Sequence, residues 1–217
     1  AWTQRQMAGA PRGPMAWAAE RQHAEGLLAQ GRAAEALALV DADLCASCGI
    51  CVGACPSSTP FRSVQQLVTG IDLPDLPLSG VRDQVQAALL THPGATIVFG
   101  CDHGADVSQL DAPGRINLSL PCSGMLPPSF TEFALRHGAA GVVIASCGEH
   151  ACSYRLGGQW THDRLLGLRE PALRERERGA QVQLLHAQKG QEAQLHNQLI
   201  EIETTQRASA TPPSHHV

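Results

Sequence analysis

Eight cysteines divide this 217-residue chain into two sets of four, with none left over. Cys45, Cys48, Cys51 and Cys55 fall within eleven residues, in the run Leu44-Cys-Ala-Ser-Cys-Gly-Ile-Cys-Val-Gly-Ala-Cys-Pro56. Cys101, Cys122, Cys147 and Cys152 lie at three separate places downstream. Thiols grouped this way constrain a fold through what they bind. A disulfide scaffold is a poor explanation, because such scaffolds belong to short secreted chains. The opening residues, Ala1-Trp-Thr-Gln-Arg-Gln6, are polar and lack an apolar signal core. No stretch approaches the roughly 18–20 apolar residues of a membrane span. Free ligating thiolates also require a reducing compartment. The chain is therefore expected in the cytoplasm, meeting a membrane only through a partner subunit. Ala1 fits either removal of a preceding Met or a piece of a longer polypeptide.

The first set has the C-x2-C-x2-C-x3-C-P spacing of a bacterial ferredoxin 4Fe-4S loop. Thiolates two residues apart wrap a tight loop around one face of a cubane. Gly49 and Gly53 let the backbone pass close by, and Pro56 fixes the backbone after the fourth thiol. Structural zinc usually takes two C-x2-C knuckles a dozen or more residues apart, which this run does not provide. In two-cluster ferredoxins the fourth cysteine of such a run ligates the other cluster. Cys55 therefore either closes its own cluster or helps hold one that another polypeptide completes.

Net charge is −4, with one Tyr and four Phe. That balance excludes a basic nucleic-acid surface as the default and leaves little for base stacking, so no nucleic-acid partner is expected. Residues 1–15 read as a flexible arm. Residues 16–62 read as a helical hairpin meeting near Gly31, followed by the cluster loop. Residues 63–94 form a Pro- and Asp-containing linker and then a helix over 81–91. Residues 95–206 form an α/β domain, and 207–217 a disordered tail.

Within 95–206 the pattern alternates. Strands are predicted over 96–100, 115–121, 141–146 and 181–186, with helices over 130–137, 161–179 (interrupted by Pro171) and 190–205. Alternation of this kind means βαβ units. The fold class expected is α/β, an open and mostly parallel sheet with helices on both faces, preceded by a small helical, ferredoxin-like cluster segment. Cys101, Cys122 and Cys147 each follow a predicted strand, and Cys152 comes five residues later. Parallel strands end on one edge, the edge where ligands bind, so these thiols are expected to converge there. A lone buried cysteine is usually a small hydrophobe, but three in register with a fourth nearby favour a site.

Three segments carry a resemblance: Cys101-Asp-His-Gly-Ala-Asp106, Pro121-Cys-Ser-Gly-Met125 and Ala145-Ser-Cys-Gly-Glu-His-Ala-Cys-Ser-Tyr154. From Ile97 to about Glu203 the chain resembles the delta subunit of methyl-viologen-reducing hydrogenase. The resemblance implies a 2Fe-2S cluster held by Cys101, Cys122, Cys147 and Cys152. It also implies electron transfer between a hydrogenase-like donor and a flavin-containing heterodisulfide-reductase-type subunit. Haem-containing partners, including a membrane b-type cytochrome, fall within the same resemblance. The family often has C-x2-C at the first position, whereas here Phe99 and Gly100 precede Cys101.

Cys101-Asp-His103 and Cys147-Gly-Glu-His150 imitate the two boxes of a Rieske centre, but that would leave Cys122 and Cys152 without a task. His103 and His150 are instead placed beside the cluster, where they would tune it. Ser123 and Tyr154 are further candidates for that shell. Gly157-Gly158 reads as a turn, and no G-x-G-x-x-G or P-loop supplies a phosphate cradle. Arg169–Arg178 alternates in sign and reads as a solvated helix face. The function expected is an electron-transfer subunit with no catalytic residue of its own, in a larger redox complex. Two alternatives remain: an interaction module with structural zinc, and a redox enzyme acting at the C-terminal centre.

Overall fold

The computed structural model describes residues 45–55, 58–61, 73, 76–148, 151–174, 179 and 181–210. The chain separates into two units, Ala1–Ala46 and Ser47–Val217. Of the first, only Cys45 and Ala46 are described, both exposed. The arm and helical hairpin expected before residue 41 lie outside the described residues.

In the second unit, helix α1 is the single turn Ile50–Ala54 and α2 is Leu78–Thr91. Strand β1 (Thr96–Cys101) follows, then a 3-10 turn at Val107–Gln109, β2 (Arg115–Leu120) and a second 3-10 turn at Ser123–Met125. The remaining elements are α3 (Ser129–Arg136), β3 (Gly141–Ser146), α4 (Gly157–Leu166), β4 (Val182–His186) and α5 (Glu192–Ala210).

The four strands make one sheet of order β2-β1-β3-β4, and every pairing is parallel. The central strands β1 and β3 are buried along their whole length, whereas β2 and β4 are half-exposed edges. Both central strands are therefore nearly continuous apolar runs, as a sheet covered on two faces demands. Side chains alternate between those faces. Ile97, Phe99, Val142 and Ile144 pack with Val81 and Val85 of α2, Phe130 of α3, Val52 and Met125. Val98, Val143 and Ala145 pack with Leu195 and Leu199 of α5 and with Val107. Each fully buried side chain of this size contributes about 1.5–3 kcal/mol. The α/β reading of the sequence is thus correct, helices covering both faces.

Three local expectations need correction. Helix α4 starts at Gly157, where the pair Gly157-Gly158 reads as a turn, and it ends at Leu166 rather than 179. Gly167 stops it in a left-handed conformation, φ 77°. The Gly167 N–H donates to the Arg164 carbonyl and the Leu168 N–H to that of Asp163, a Schellman ending that caps the carbonyls of the last turn. Residues 169–174 consequently form no helix, and Arg169 lies over the Trp160 ring, its Cζ 3.7 Å from the centroid. Strand β2 ends at Leu120, one residue before the predicted end. The last helix continues to Ala210, past 205.

Candidate functional site

Strand order decides which thiols meet. Because β1 lies between β2 and β3, Cys101, its last residue, lies between the exits of the two flanking strands. Cys122 follows β2 after Pro121, and Cys147 follows β3 directly. The Cys101 sulfur lies close enough to the Cys122 and Cys147 thiols for each to bear on its ionisation, and Cys147 stands in the same relation to Cys152. The four downstream cysteines therefore gather into one cluster at the carboxyl edge of the sheet, with Cys122 and Cys152 both beside Gly157. Cys101, Cys122 and Cys147 are buried and Cys152 is half-buried.

Electrostatics within this cluster favour a thiolate. The neighbouring thiols of Cys122 and then Cys147 hold Cys101 far below the usual thiol range, against the burial that opposes its ionisation. Cys122 and Cys147 are pushed up, each first by the neighbouring Cys101 and then by burial. Sulfur donors of this kind suit soft metals and iron–sulfur clusters, not oxygen-seeking cations. Among the described residues, no group of three or more His, Cys, Asp or Glu is arranged around a single metal ion.

The surroundings are shaped to these sulfurs. A side chain at Gly157 would overlap Cys122 Sγ and reach 3.5 Å from Cys152 Sγ, so α4 begins with glycine in order to approach them. The Cys122 sulfur accepts the Gly124 N–H at 3.4 Å. Beside the cluster, Ser123 Oγ and Ser146 Oγ lie 3.1 Å apart, and Thr161 Oγ1 donates to Ser123 at 3.4 Å. These buried hydroxyls tie the β2 exit, the β3 exit and α4 together. His186 Nδ1 donates to the Cys147 carbonyl at 3.2 Å.

The ferredoxin-type run sits directly against this edge from Cys48 onward. Ser47 and Gly49 take left-handed conformations, φ 53° and 71°, which reverse the chain into α1. Cys48 and Cys55 are half-buried and Cys51 is exposed. Gly49 and Gly53 have a packing task beyond the one expected of them. A side chain at Gly49 would lie 2.8 Å from Met125 Cβ. One at Gly53 would overlap the Gly124 carbonyl and lie 2.9 Å from Arg164 Nη1. Helix α1 thus rests backbone to backbone on the turn that follows Cys122. Cys45 belongs to the other unit.

His103 is exposed, and its Nε2 lies 2.9 Å from the Tyr154 hydroxyl, the two rings edge to face. The Tyr154 phenol is pushed up by burial first, then by Cys48, Cys122 and Cys101, so the pair stands on the rim near thiols of both sets. His150 lies outside the described residues. Sequence reasoning missed Ser146, Thr161, Met125 and Arg164. Of these, Met125 and Ser146 stood in segments that carried the resemblance, as neighbours of Cys122 and Cys147.

Residues 38–59 match a 4Fe-4S binding domain. Together with the parallel sheet and its gathered thiols, that match defines an iron–sulfur electron-transfer subunit. The sequence model of the family "methyl-viologen-reducing hydrogenase, delta subunit" matches residues 96–207, and the chain belongs to that family. No curated protein matches the chain. No helix among the described residues is long and apolar enough to cross a membrane.

Proposed function

We propose that this chain relays single electrons between two iron–sulfur sites within a hydrogenase- or heterodisulfide-reductase-like complex. Cys45, Cys48, Cys51 and Cys55 hold the 4Fe-4S cluster. Cys101, Cys122, Cys147 and Cys152 hold a 2Fe-2S cluster, for which four thiolates are the usual ligand count. Each cluster supplies one-electron chemistry when bound. The observation that carries the proposal is the cluster of four thiols at the sheet edge, with α1 of the ferredoxin-type run seated on the Cys122 turn. The Gly53–Gly124 approach keeps the two sites adjacent, and the buried hydroxyls hold the strand exits still, so little has to rearrange when an electron moves. Chemistry in electron pairs then belongs to a flavin-containing partner subunit, and a haem-containing partner would exchange electrons with this chain singly.

Single exchanges test the division of ligands. In anaerobically purified chain, Cys147→Ser is expected to abolish the 2Fe-2S resonance and leave the 4Fe-4S resonance. Cys51→Ser is expected to do the reverse. Loss of both resonances in both variants, with each chain still folded by circular dichroism, would refute two independent sites. Stoichiometric zinc in colourless wild-type protein would favour the structural-module alternative instead.

A further inference from the structure

Among the described residues two arginines are buried, and they are treated differently. Arg115 is fully paired: Nε and Nη2 donate to Glu203, at 2.5 and 3.0 Å, and Nη1 donates to the Leu110 carbonyl at 2.6 Å. Arg164 is 1% exposed. Among the described residues, its side chain makes one hydrogen bond, from Nη1 to the Gly124 carbonyl at 2.9 Å, and its Cζ lies 5.8 Å from the centroid of the Trp160 ring. Nε and Nη2 have no partner among the described residues, and no carboxylate there forms an ion pair with it. Burial first, and then Arg169, lower its pKa to about 10, and the one influence opposing them comes from Cys122. It is therefore a cation at neutral pH. A buried charge without a counter-charge is strongly unfavourable, so its retention calls for an anion that no carboxylate among the described residues provides.

Its place indicates which anion. Nη1 is bonded to the carbonyl two residues beyond Cys122 and faces Gly53, which lies between Cys51 and Cys55 in the ferredoxin-type run. The guanidinium thus sits in the wall between the two sets of thiols.

We infer that Arg164 is a positioning residue and fixed counter-charge for the iron–sulfur group held by Cys101, Cys122, Cys147 and Cys152, raising its reduction potential. This rests on the ligand assignment proposed above. A neighbouring cation favours the state with one more electron, so a neutral side chain here makes the sheet-edge site harder to reduce. Its unpaired N–H donors also supply charge-assisted hydrogen bonds to a sulfur-rich anion.

The test uses the full chain, anaerobically reconstituted, with Arg164→Met and Arg164→Lys beside wild type. Iron and sulfide are counted, and each sample is poised at a series of potentials while the slowly relaxing resonance of the sheet-edge site is followed. At a fixed poise, the reduced-to-oxidised ratio in Arg164→Met is expected to fall at least tenfold, which is 59 mV for a one-electron couple. Arg164→Lys, which keeps the charge, is expected to recover most of that shift. Without metal, Arg164→Met should resist urea at least as well as wild type, because it removes a buried charge that has no partner. Loss of the sheet-edge site in Arg164→Met but not in Arg164→Lys, at equal metal-free stability, also supports the inference. An unchanged ratio in fully loaded Arg164→Met overturns it, as do equal shifts in the two variants, which would indicate packing rather than charge. Absence of any sheet-edge centre from wild type would instead refute the ligand assignment and this inference with it.

Discussion

Gly157→Ala is the sharpest perturbation of the sheet-edge site that leaves every thiol in place. The new methyl group meets Cys122 Sγ inside van der Waals contact and lies 3.5 Å from Cys152 Sγ. Cys122 has little room to yield, being fully buried, close against the Cys101 thiol and accepting the Gly124 N–H. Overpacking of this kind costs roughly 1–3 kcal/mol. Alanine repays part of that, since replacing a glycine whose conformation tolerates a side chain gains about 0.4–1 kcal/mol through the unfolded state. Gly80→Ala in α2 isolates that gain, because its methyl group would meet only Pro77 at ordinary contact distances of 3.6 and 3.8 Å. Gly157→Ala should therefore end at least about 1 kcal/mol less stable than Gly80→Ala. With a urea slope of about 1–3 kcal/mol/M, the midpoints separate by roughly 0.3–1 M. Iron analysis gives a second readout, a selective loss from the sheet-edge site. Equal midpoints together with equal iron in the two variants would refute the claim that α4 begins with glycine to approach the sulfurs.

Other predictions concern the framework and its pH response. Met125→Ala empties a fully buried position beneath Gly49 and should cost about 2–5 kcal/mol in urea unfolding of the metal-free chain. Glu203→Gln leaves Arg115 buried without its counter-charge and should cost about 3–5 kcal/mol, read as a lowered thermal midpoint. Asp106 is held below the usual carboxylate range by the Ser108 hydroxyl and then Gln109, and Glu192 by its own backbone N–H and then that of Asp106. Each folded-state pKa lies below its unfolded value. The associated stability is present above the unfolded pKa and is lost as pH falls through the folded one. Asp106→Asn should flatten that acid limb in urea midpoints measured against pH, and an unchanged slope would count against the assignment.

The sequence made some parts of this arrangement legible because single segments encode them. Runs such as Ile97-Val-Phe and Val142-Val-Ile are apolar on both faces, which only a strand covered on two sides requires, and β1 and β3 are such strands. Strand ends followed by cysteine needed only the parallel rule to converge. Gly157-Gly158 shows why other parts were hidden. Glycine pairs usually mark turns, and the reason for this one is a sulfur thirty-five residues earlier in the chain, brought close by tertiary packing. Arg164 was hidden for a similar reason. Nothing in Asp163-Arg164-Leu165 distinguishes a buried cation from a surface one until the Gly124 carbonyl is placed beside it. The helix predicted to 179 failed because the Gly167 cap and its two hydrogen bonds outweighed the helical preference of the residues beyond.

The central claim is that one chain carries two iron–sulfur sites of different kinds. Iron and sulfide analysis of anaerobically purified protein, combined with low-temperature electron paramagnetic resonance during stepwise reduction, tests it most directly. Two sites require about six irons per chain, four in a 4Fe-4S and two in a 2Fe-2S cluster. They also require one fast- and one slow-relaxing signal. About four irons with a single signal would contradict the account, because the gathered thiols of Cys101, Cys122, Cys147 and Cys152 would then hold no cluster.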